Sequence, residues 1–367
     1  QQLARISAPL SEAYTLPTSA YTSEVVYARE VQRFLGDVWH PVARVEQVAN
    51  PGDYLSLDLL GQPLLIVRDR DSQVRVMSRV CLHRSAPLID GCGNRNKFTC
   101  PYHAWTYDLT GQLKSAPLMN GAADFSAEQL QLPQAAVEIW QGFVMANFAA
   151  QPTPFAPQVE TFSHFIAPFN FADMRIAKTL TYQHDWNWKV LVDNFMEAYH
   201  HIAVHNKTFE PNFHARDSKI PDNDGPWSIL HMPAAHPGTR EDKASQLEEW
   251  QLDDLFANVV FPMFLLGVQG TSLVWYQVLP EGPHSLELRI HICLPADWRQ
   301  LADYADIVAG AAAMVDGVHQ EDIAANDLVW SGLTAPLTQQ GRLSPLERSI
   351  WQFNQWWLDQ LGLREVL

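Results

Sequence analysis

Two short cysteine–histidine pairs constrain the fold of this chain more than any other feature of its sequence. They are Cys81-x-His83 and Cys100-x-x-His103, separated by residues 84–99. Each pair offers one thiolate and one imidazole from a tight loop, so the four side chains can share a site only if the fold holds two loops side by side. One interpretation is a structural zinc site with two cysteine and two histidine ligands, tetrahedral and closed.

The division of the ligands between the two pairs argues against zinc, because zinc fingers usually keep two cysteines in one pair. A Rieske [2Fe–2S] centre needs two thiolates on one iron and two imidazoles on the other, so each loop would deliver one ligand to each iron. Cys92 and Cys293 have no partner in this arrangement. They are predicted to be buried thiols.

Here the sequence resembles a known family. The segments Cys-Leu-His-Arg and Cys-Pro-Tyr-His-Ala-Trp, at this separation, resemble the Rieske domain of ring-hydroxylating oxygenase large subunits. The resemblance implies that Cys81, His83, Cys100 and His103 hold a [2Fe–2S] cluster.

The chain divides into regions of different character. Residues 37–150 have the pattern of short strands and turns, for example DYLSLDLL, then GQ, then PLLIVRD. The proline-rich stretch QPTPFAPQ then marks a change of composition. We therefore predict a small all-β domain at 37–150 and a second domain at 151–367. The resemblance implies that residues 1–36 pack on the second domain.

The second domain mixes helical and strand patterns, which makes the fold class α+β. Helices are predicted for residues 185–205, 303–333 and 345–361, and strands for residues 259–278 and 285–294. Residues 208–241 have no clear period and are predicted to be a long loop. The resemblance implies a helix-grip catalytic domain, in which an antiparallel sheet wraps around a long helix.

A second group of metal-binding residue types lies in the segment NFMEAYHHIAVH, residues 194–205. At 100° per residue, Asp193, Glu197 and His200 share one flank of a helix beside its apolar stripe, whereas His201 points away. We predict Asp193 and Glu197 as catalytic residues. His205 can join His200 only if the helix ends or bulges between them.

The resemblance extends to this segment. Asn187-Trp188-Lys189, followed by residues 193–205, looks like the catalytic helix of the same oxygenases, where two histidines bind mononuclear iron. It implies His200 and His205 as iron ligands. In the family an acid three residues before the first histidine, commonly Asp, bridges to a Rieske histidine of the neighbouring subunit. Glu197 holds that position here, a departure that resembles the branch acting on quaternary amines.

Such iron sites take one carboxylate besides two histidines. In HQEDIAANDLVWSGL, Glu321 and Asp322 compete for this role. The apolar stripe of the predicted helix runs through Ile307, Ala311, Met314, Val315, Val318 and Val329. Asp322 falls near the middle of this stripe, whereas Glu321 lies at its edge. The family pattern also places the ligand at the second acid, so Asp322 is the predicted ligand. His319, one turn earlier, is a candidate for a supporting role beside the ligands, although a surface position is the favoured interpretation.

Charge and composition exclude several partners. A formal charge of −16 argues against nucleic acid or an anionic membrane as a partner. Apolar runs are too short for a membrane span, and no export signal is evident at the N-terminus, so the predicted location is the cytoplasm. Because neither a GxGxxG fingerprint nor a ferredoxin cysteine set is present, electrons from NAD(P)H must come through a separate reductase, with or without a ferredoxin.

Together the two metal sites predict a terminal oxygenase component that uses O2 to hydroxylate a small organic substrate, taken first to be aromatic. The alternative is oxidative N-demethylation or hydroxylation of a quaternary amine. An electron carrier and a zinc-containing binding protein are the hypotheses of another class. The resemblance implies a head-to-tail homotrimer, with or without a small subunit, in which each cluster serves the neighbour's iron.

Several apolar and aromatic residues of the second domain are candidates for the wall of a substrate pocket, although each is equally plausible as an ordinary core residue. These candidates are Val192, Phe195, Val204, Phe209, Phe256, Val260, Phe264 and Trp275.

Overall fold

The computed structural model describes residues 2–238 and 247–364. Two units are distinguished within it: residues 34–155 form one, and the residues up to Arg33 belong with those from Ala156 onward in the other. Among the described helices, none combines the length and the hydropathy that crossing a membrane requires.

The chain begins with three helices, α1 (Gln2–Ile6), α2 (Thr18–Thr22) and α3 (Glu24–Asp37). The first of them lies close to the last helical region of the chain. Trp351 Nε1 donates a hydrogen bond to the Ala8 carbonyl, and Gln355 Nε2 donates one to the Ile6 carbonyl.

Strands build the unit of residues 34–155. They are β1 (His40–Arg44), β2 (Asp53–Leu59), β3 (Gln62–Arg68), β4 (Val74–Ser78), β5 (Cys92–Asn94), β6 (Phe98–Thr99), β7 (Thr106–Tyr107), β8 (Leu113–Ser115), β9 (Ala136–Trp140) and β10 (Phe143–Asn147). They pair antiparallel in three sheets, ordered β1-β10-β9, β4-β3-β2-β5 and β6-β7-β8.

The β2–β3 hairpin shows how the local sequence determines the register. Leu59 pairs with Gln62, so Leu60 and Gly61 form the two-residue turn, with φ values of 50° and 77°. Positive φ at both positions matches the turn to the right-handed twist of the strands. The turn thus lies one residue before the Gly-Gln pair expected from the sequence.

The rest of the chain contains helices and a second set of strands. They are α4 (Phe155–Gln158), α5 (Glu160–Ile166), β11 (Met174–His184), α6 (Trp188–Phe195), β12 (Trp227–Met232), α7 (Glu249–Asp253), β13 (Leu255–Val260), β14 (Phe264–Gln269), β15 (Ser272–Gly282), β16 (Ser285–Pro295), α8 (Tyr304–Leu333) and α9 (Arg348–Gln360).

These strands form one six-stranded antiparallel sheet, ordered β11-β16-β15-β14-β13-β12. Helices α6 and α8 contact each other, α6 contacts β15, and α8 contacts β11. The α+β fold with an antiparallel sheet is therefore confirmed.

Three local expectations were wrong. The helix predicted for residues 185–205 ends at Phe195, and the long loop predicted for residues 208–241 contains β12, although residues 239–241 lie outside the described part. Met314 and Val329, placed on the apolar stripe of the long helix, are about half exposed. Helix α8 therefore buries a narrower face than its composition indicates.

Candidate functional site

The two cysteine–histidine loops share one backbone arrangement. The amides of Cys81 and Cys100 each donate to the carbonyl five residues on, at 2.9 Å and 2.8 Å, and each cysteine carbonyl accepts from the amide four residues on, at 3.1 Å. The residues that close these turns, Ser85 and Ala104, both have a φ of 56°. The loops therefore present their side chains alike, although one pair has one intervening residue and the other has two.

Burial separates the two kinds of donor. Cys81 and Cys100 are only 1% and 3% exposed, whereas His83 and His103 are exposed, with ring centroids 4.6 Å apart. Trp105 stacks on His83 with an interplanar angle of 7°. Two enclosed thiols and two imidazoles at the surface fit a Rieske cluster, which takes sulfur on one iron and nitrogen on the other.

The other two cysteines differ from each other. Cys293 is a buried free thiol, as expected, but Cys92 is exposed in the short edge strand β5, so its predicted burial was wrong. Cys92 lies between Gly91 and Gly93 in a strand whose three residues are all exposed, so the general tendency of cysteine to be buried does not hold there.

A tyrosine lies beside one thiol. The phenolic oxygen of buried Tyr107 is 3.4 Å from Cys81 Sγ, and it accepts a hydrogen bond from the Leu82 amide at 3.0 Å. Burial raises the pKa of Tyr107 well above its ordinary value. The phenol therefore stays protonated, and its O–H can donate a hydrogen bond to a thiolate at Cys81.

We expect Tyr107→Phe to lower the reduction potential of the cluster by about 60 mV, because a hydrogen bond to sulfur stabilises the more negative, reduced form. This value equals one hydrogen bond of about 1.4 kcal/mol for a one-electron couple. A redox titration followed by circular dichroism measures it. Tyr54→Phe, in the same core, is the control. An unchanged potential in Tyr107→Phe would contradict this role.

The second group of ligand candidates forms where α6 ends. Helix α6 stops at Phe195, and a 3-10 turn follows at Tyr199–Ile202. The Val204 amide donates to the His200 carbonyl, and the His205 carbonyl accepts from the amides of residues 208, 209 and 210. The break predicted between His200 and His205 thus begins before His200.

This arrangement brings three predicted ligands together. One ligand atom from each of His200, His205 and Asp322 lies within 4.8 Å of the other two. Asp322 Oδ1 is 3.0 Å from His205 Nε2 and 3.6 Å from His200 Nε2. Two imidazole nitrogens and one carboxylate around a single point are the donor set of non-heme iron oxygenases.

Glutamates contact the opposite nitrogen of each ring. Glu197 Oε1 lies 2.6 Å from His200 Nδ1, and its Oε2 accepts from the His200 amide at 3.0 Å. Glu321 Oε2 lies 2.6 Å from His205 Nδ1. Carboxylates at both Nδ1 atoms favour the tautomer that leaves each Nε2 lone pair free for a metal.

Neighbouring charges act on His205 and His201 in opposite directions. Burial lowers the pKa of His205, but the hydrogen bonds and charges of Asp322 and Glu321 outweigh it and raise the pKa. Burial, with His200 and His205 close by, lowers the pKa of His201 to about 3. The negative charge that acts on His205 also favours a cation among the three ligand atoms.

A cavity of about 120 Å³, here called the inner cavity, lies beside these ligand atoms. Four phenyl or phenol rings contribute to its wall: Phe195, Phe209, Phe256 and Tyr276. Of the candidates predicted from the sequence, the wall does not include Val192, Val204, Val260, Phe264 or Trp275.

A larger space of about 730 Å³, here called the outer cavity, adjoins the inner one. The two share Phe209, Gln269, Met314 and Val318. Because Met314 is about half exposed, this boundary faces the surface. The outer cavity therefore offers a route to the inner one.

Two histidines of the inner cavity were missed from the sequence. His201 and His319, both predicted to face solvent, are buried and belong to its wall. His319 Nε2 is 3.2 Å from Nε2 of buried His184. Helical geometry misplaced His201, because the chain is no longer an α-helix there.

Asp193, predicted to act beside Glu197, lies elsewhere. It is not part of the described cavity wall, and its Oδ2 accepts a hydrogen bond of 2.5 Å from Tyr21 in the protein interior. Lys189 pairs with Glu30 nearby, at 2.8 Å. Burial raises the pKa of Asp193 to about 7, and the charges of Glu197 and Glu347 add to the shift, against the opposing effects of Tyr21 and Lys189.

This pKa predicts a pH-dependent stability. Because the folded-state pKa of about 7 exceeds the ordinary 3.8, the stability due to the protonated carboxyl is complete below pH 3.8 and is lost as the pH rises through 7. As the pH rises over this range, wild type should lose on the order of 4 kcal/mol of unfolding free energy that Asp193→Asn keeps. Chemical denaturation from pH 4 to pH 8 measures the difference.

Tyr21→Phe provides a second check, since it removes a hydrogen bond that lowers the pKa of Asp193. The loss of stability should then move to higher pH. A difference between Asp193→Asn and wild type that stays constant with pH would contradict protonation of this carboxyl.

Two family models match the parts of the chain that contain these two sites. Residues 38–132 match the family model of the Rieske [2Fe-2S] domain. Residues 171–363, more than half of the chain, match the model of the ring hydroxylating alpha subunit (catalytic domain). The cofactors that these domains carry are a Rieske cluster and a mononuclear non-heme iron, and both donor sets described above fit them.

Curated relatives carry related names. The oxygenase subunit of carnitine monooxygenase from Acinetobacter pittii is 34% identical over 196 residues, 53% of each chain. The alignment thus spans about half the length of this relative. Choline monooxygenase from Spinacia oleracea, a chloroplast protein, is 23% identical over 360 residues, 95% of this chain and 78% of the relative.

Solved structures share the fold. A quaternary ammonium Rieske monooxygenase in complex with gamma-butyrobetaine superimposes with a TM-score of 0.80 at 24% identity, covering 98% of this chain and 97% of that one. Naphthalene 1,2-dioxygenase from Rhodococcus gives a TM-score of 0.80 at 17% identity, covering 98% and 96%.

Proposed function

This chain belongs to the family of ring-hydroxylating oxygenase alpha subunits, and on that premise we propose that it is the terminal oxygenase component of a multicomponent system. The observation that carries the proposal is the convergence of His200 Nε2, His205 Nε2 and Asp322 beside the inner cavity. An electron carrier would need only the Rieske loops, and a zinc-containing binding protein would need neither the second donor set nor the cavity.

The proposal assigns the metal ligands by residue. Cys81 and Cys100 would bind one iron of the cluster, and His83 and His103 the other. His200, His205 and Asp322 would bind the mononuclear iron. When bound, the cluster supplies single electrons and the iron binds and activates O2.

The residues around the iron site have separate tasks. Glu197 fixes the tautomer and orientation of His200 through its 2.6 Å contact. The apolar wall of the inner cavity excludes water and places a substrate carbon next to the three ligand atoms. Phe209, Met314 and Val318, at the boundary with the outer cavity, limit what can pass.

We further propose that the chain acts as a homotrimer in which Glu197 contacts His103 of the partner subunit. The exposure of His103 supports this arrangement, because a surface imidazole can meet another chain. The structure of a related quaternary ammonium Rieske monooxygenase gave insights into carnitine oxidation and into inter-subunit electron transfer. A separate reductase, whose docking the charge of −16 would favour if it presents a basic surface, completes the system. The cytoplasmic location stays a prediction.

The substrate proposed here is a small quaternary ammonium compound, which the names of the carnitine and choline relatives support. The cavities support it as well. No lysine or arginine belongs to the described wall of either cavity, whereas the carboxylates of Asp253 and Glu321 belong to the wall of the outer one. Aromatic faces attract a methylated ammonium through cation–π interaction. The same rings could also stack on a flat aromatic substrate.

Matched compounds separate these substrate classes. Choline and its uncharged isostere 3,3-dimethylbutan-1-ol have nearly the same shape, and carnitine, gamma-butyrobetaine, benzoate and indole complete the panel. With the reduced protein and O2, we expect oxygenated product from at least one quaternary amine and about tenfold less from the isostere, since cation–π attraction is worth about 1–2 kcal/mol. Product from benzoate or indole alone would restore the aromatic hypothesis.

A further inference from the structure

Two adjacent acids of α8 approach opposite sides of the same imidazole. Asp322 Oδ1 is 3.0 Å from His205 Nε2, and Glu321 Oε2 is 2.6 Å from His205 Nδ1. The two nitrogens of an imidazole direct their lone pair or hydrogen to different sides of the ring. A metal bound to Nε2 therefore lies on the other side of the ring from Glu321, and Glu321 cannot be a ligand of that metal.

Glu321 also holds the turn that carries this histidine. Thr208 Oγ1 donates to Glu321 Oε2 at 2.7 Å, and the Thr208 amide donates to the His205 carbonyl at 3.2 Å. One carboxylate oxygen thus accepts from both ends of the turn 205–208 and ties it to α8. The ring itself is 1% exposed, whereas the Glu321 side chain is 34% exposed.

A histidine ligand needs such a partner, because a carboxylate at Nδ1 fixes the tautomer, sets the ring angle and makes Nε2 a better donor. Glu197 has the same relation to His200. Two carboxylate–histidine pairs therefore flank the site, one within the segment 197–200 and one reaching from α8.

We propose that Glu321 is a positioning residue for the iron site: it holds His205 in the orientation and tautomer in which Nε2 binds the metal. The proposal rests on the iron site of the proposed function. It gives the neighbouring acids different roles, since Asp322 touches the metal and Glu321 acts through His205.

The test measures Fe(II) affinity in protein that keeps its cluster but has lost its mononuclear iron, by competition with a chelator. Glu321→Ala should weaken Fe(II) binding 10- to 100-fold, the range found for outer partners of metal ligands. The Fe(II) affinity of Glu321→Gln should lie between those of wild type and Glu321→Ala, because a neutral amide oxygen accepts a weaker hydrogen bond than a carboxylate. Thr208→Val should shift the affinity in the same direction by less. Gln320→Ala, exposed next to Glu321, is the matched control.

A merely structural role would change other quantities. We expect cluster content and the Tm of the metal-free protein to stay near wild type, while the rise in Tm caused by Fe(II) shrinks in the order wild type, Gln, Ala. If Glu321→Ala misfolds and loses its cluster, the Fe(II) affinities of Glu321→Gln and Thr208→Val are compared with that of wild type instead.

The outcomes are distinguishable. If wild type binds Fe(II) and all three variants bind it equally well, the role of Glu321 is overturned and the proposed function stands. If wild type itself does not bind Fe(II) at this site, the proposed function fails, and the inference fails with it.

Discussion

Asp322→Ala is expected to abolish oxygenation while leaving the cluster and its colour intact. The substitution removes the only carboxylate of the described three-residue ligand group and leaves His200 and His205 without an anionic partner at their Nε2 atoms. Because replacement of outer partners already costs up to about 100-fold, loss of a ligand should lower both Fe(II) affinity and product formation by more than that. Metal analysis and product assay on the same sample measure both.

Asp327→Ala is the matched control, since Asp327 is an exposed carboxylate farther along α8 that accepts from Trp186 Nε1 at 3.2 Å. It should keep iron and activity. An Asp322→Ala protein that retains stoichiometric mononuclear iron and normal turnover would show that the carboxylate ligand lies elsewhere.

The second large effect is expected at Glu197. In Glu197→Gln, an amide replaces the carboxylate that accepts from both Nδ1–H and the backbone amide of His200. One of these contacts must then face an NH2 group, and the proposed contact with His103 of the partner subunit loses its carboxylate. We expect the cluster to remain and Fe(II) binding to weaken, as for Glu321→Gln, and we expect substrate-dependent oxidation of the reduced cluster in iron-loaded protein to slow by roughly 100-fold.

Glu210→Gln is the control, because Glu210 is likewise a glutamate near a histidine, 3.8 Å from His214 Nδ1. Glu197→Asp tests whether the length of the side chain matters for these contacts, since it keeps the charge on a shorter side chain. If Glu197→Gln exchanges electrons as fast as wild type in stopped-flow experiments, Glu197 is not on the path between subunits.

The features predicted well from sequence depend on short-range spacing. The pairs Cys81/His83 and Cys100/His103 define two loops by themselves, and the strands around them alternate in a way that only a sheet accommodates. The long helix expected at residues 303–333 is α8 at Tyr304–Leu333. This segment contains no proline and is rich in alanine, the strongest helix former.

Features that depend on where a helix ends could not be predicted. Met196 leaves the helical conformation, with φ −89° and ψ 3°, and nothing in its local sequence marks the end. Beyond it, the helical wheel misplaced His201, and it had also put Asp193 beside Glu197 on one flank. His319 was missed for another reason: its burial depends on β11, which brings His184 to it from a distant part of the chain.

The roles of neighbouring acids also needed the structure. The sequence pattern and the family resemblance both favour Asp322 over Glu321, but neither indicates what Glu321 contacts. Only the approach of His205 and Thr208 to α8 gives Glu321 its two hydrogen bonds. Long-range contacts of this kind leave no periodic trace in the sequence.

One single-turnover experiment tests the central claim most directly. Protein containing about three iron and two sulfide per chain is reduced without oxygen and mixed with O2, with and without each compound of the panel, while the visible absorption of the cluster is followed. The account predicts that a quaternary amine accelerates oxidation of the cluster and is recovered oxygenated. Oxidation at one slow rate with every compound, with no oxygenated product from fully iron-loaded protein, would contradict it, as would a colourless protein that contains zinc.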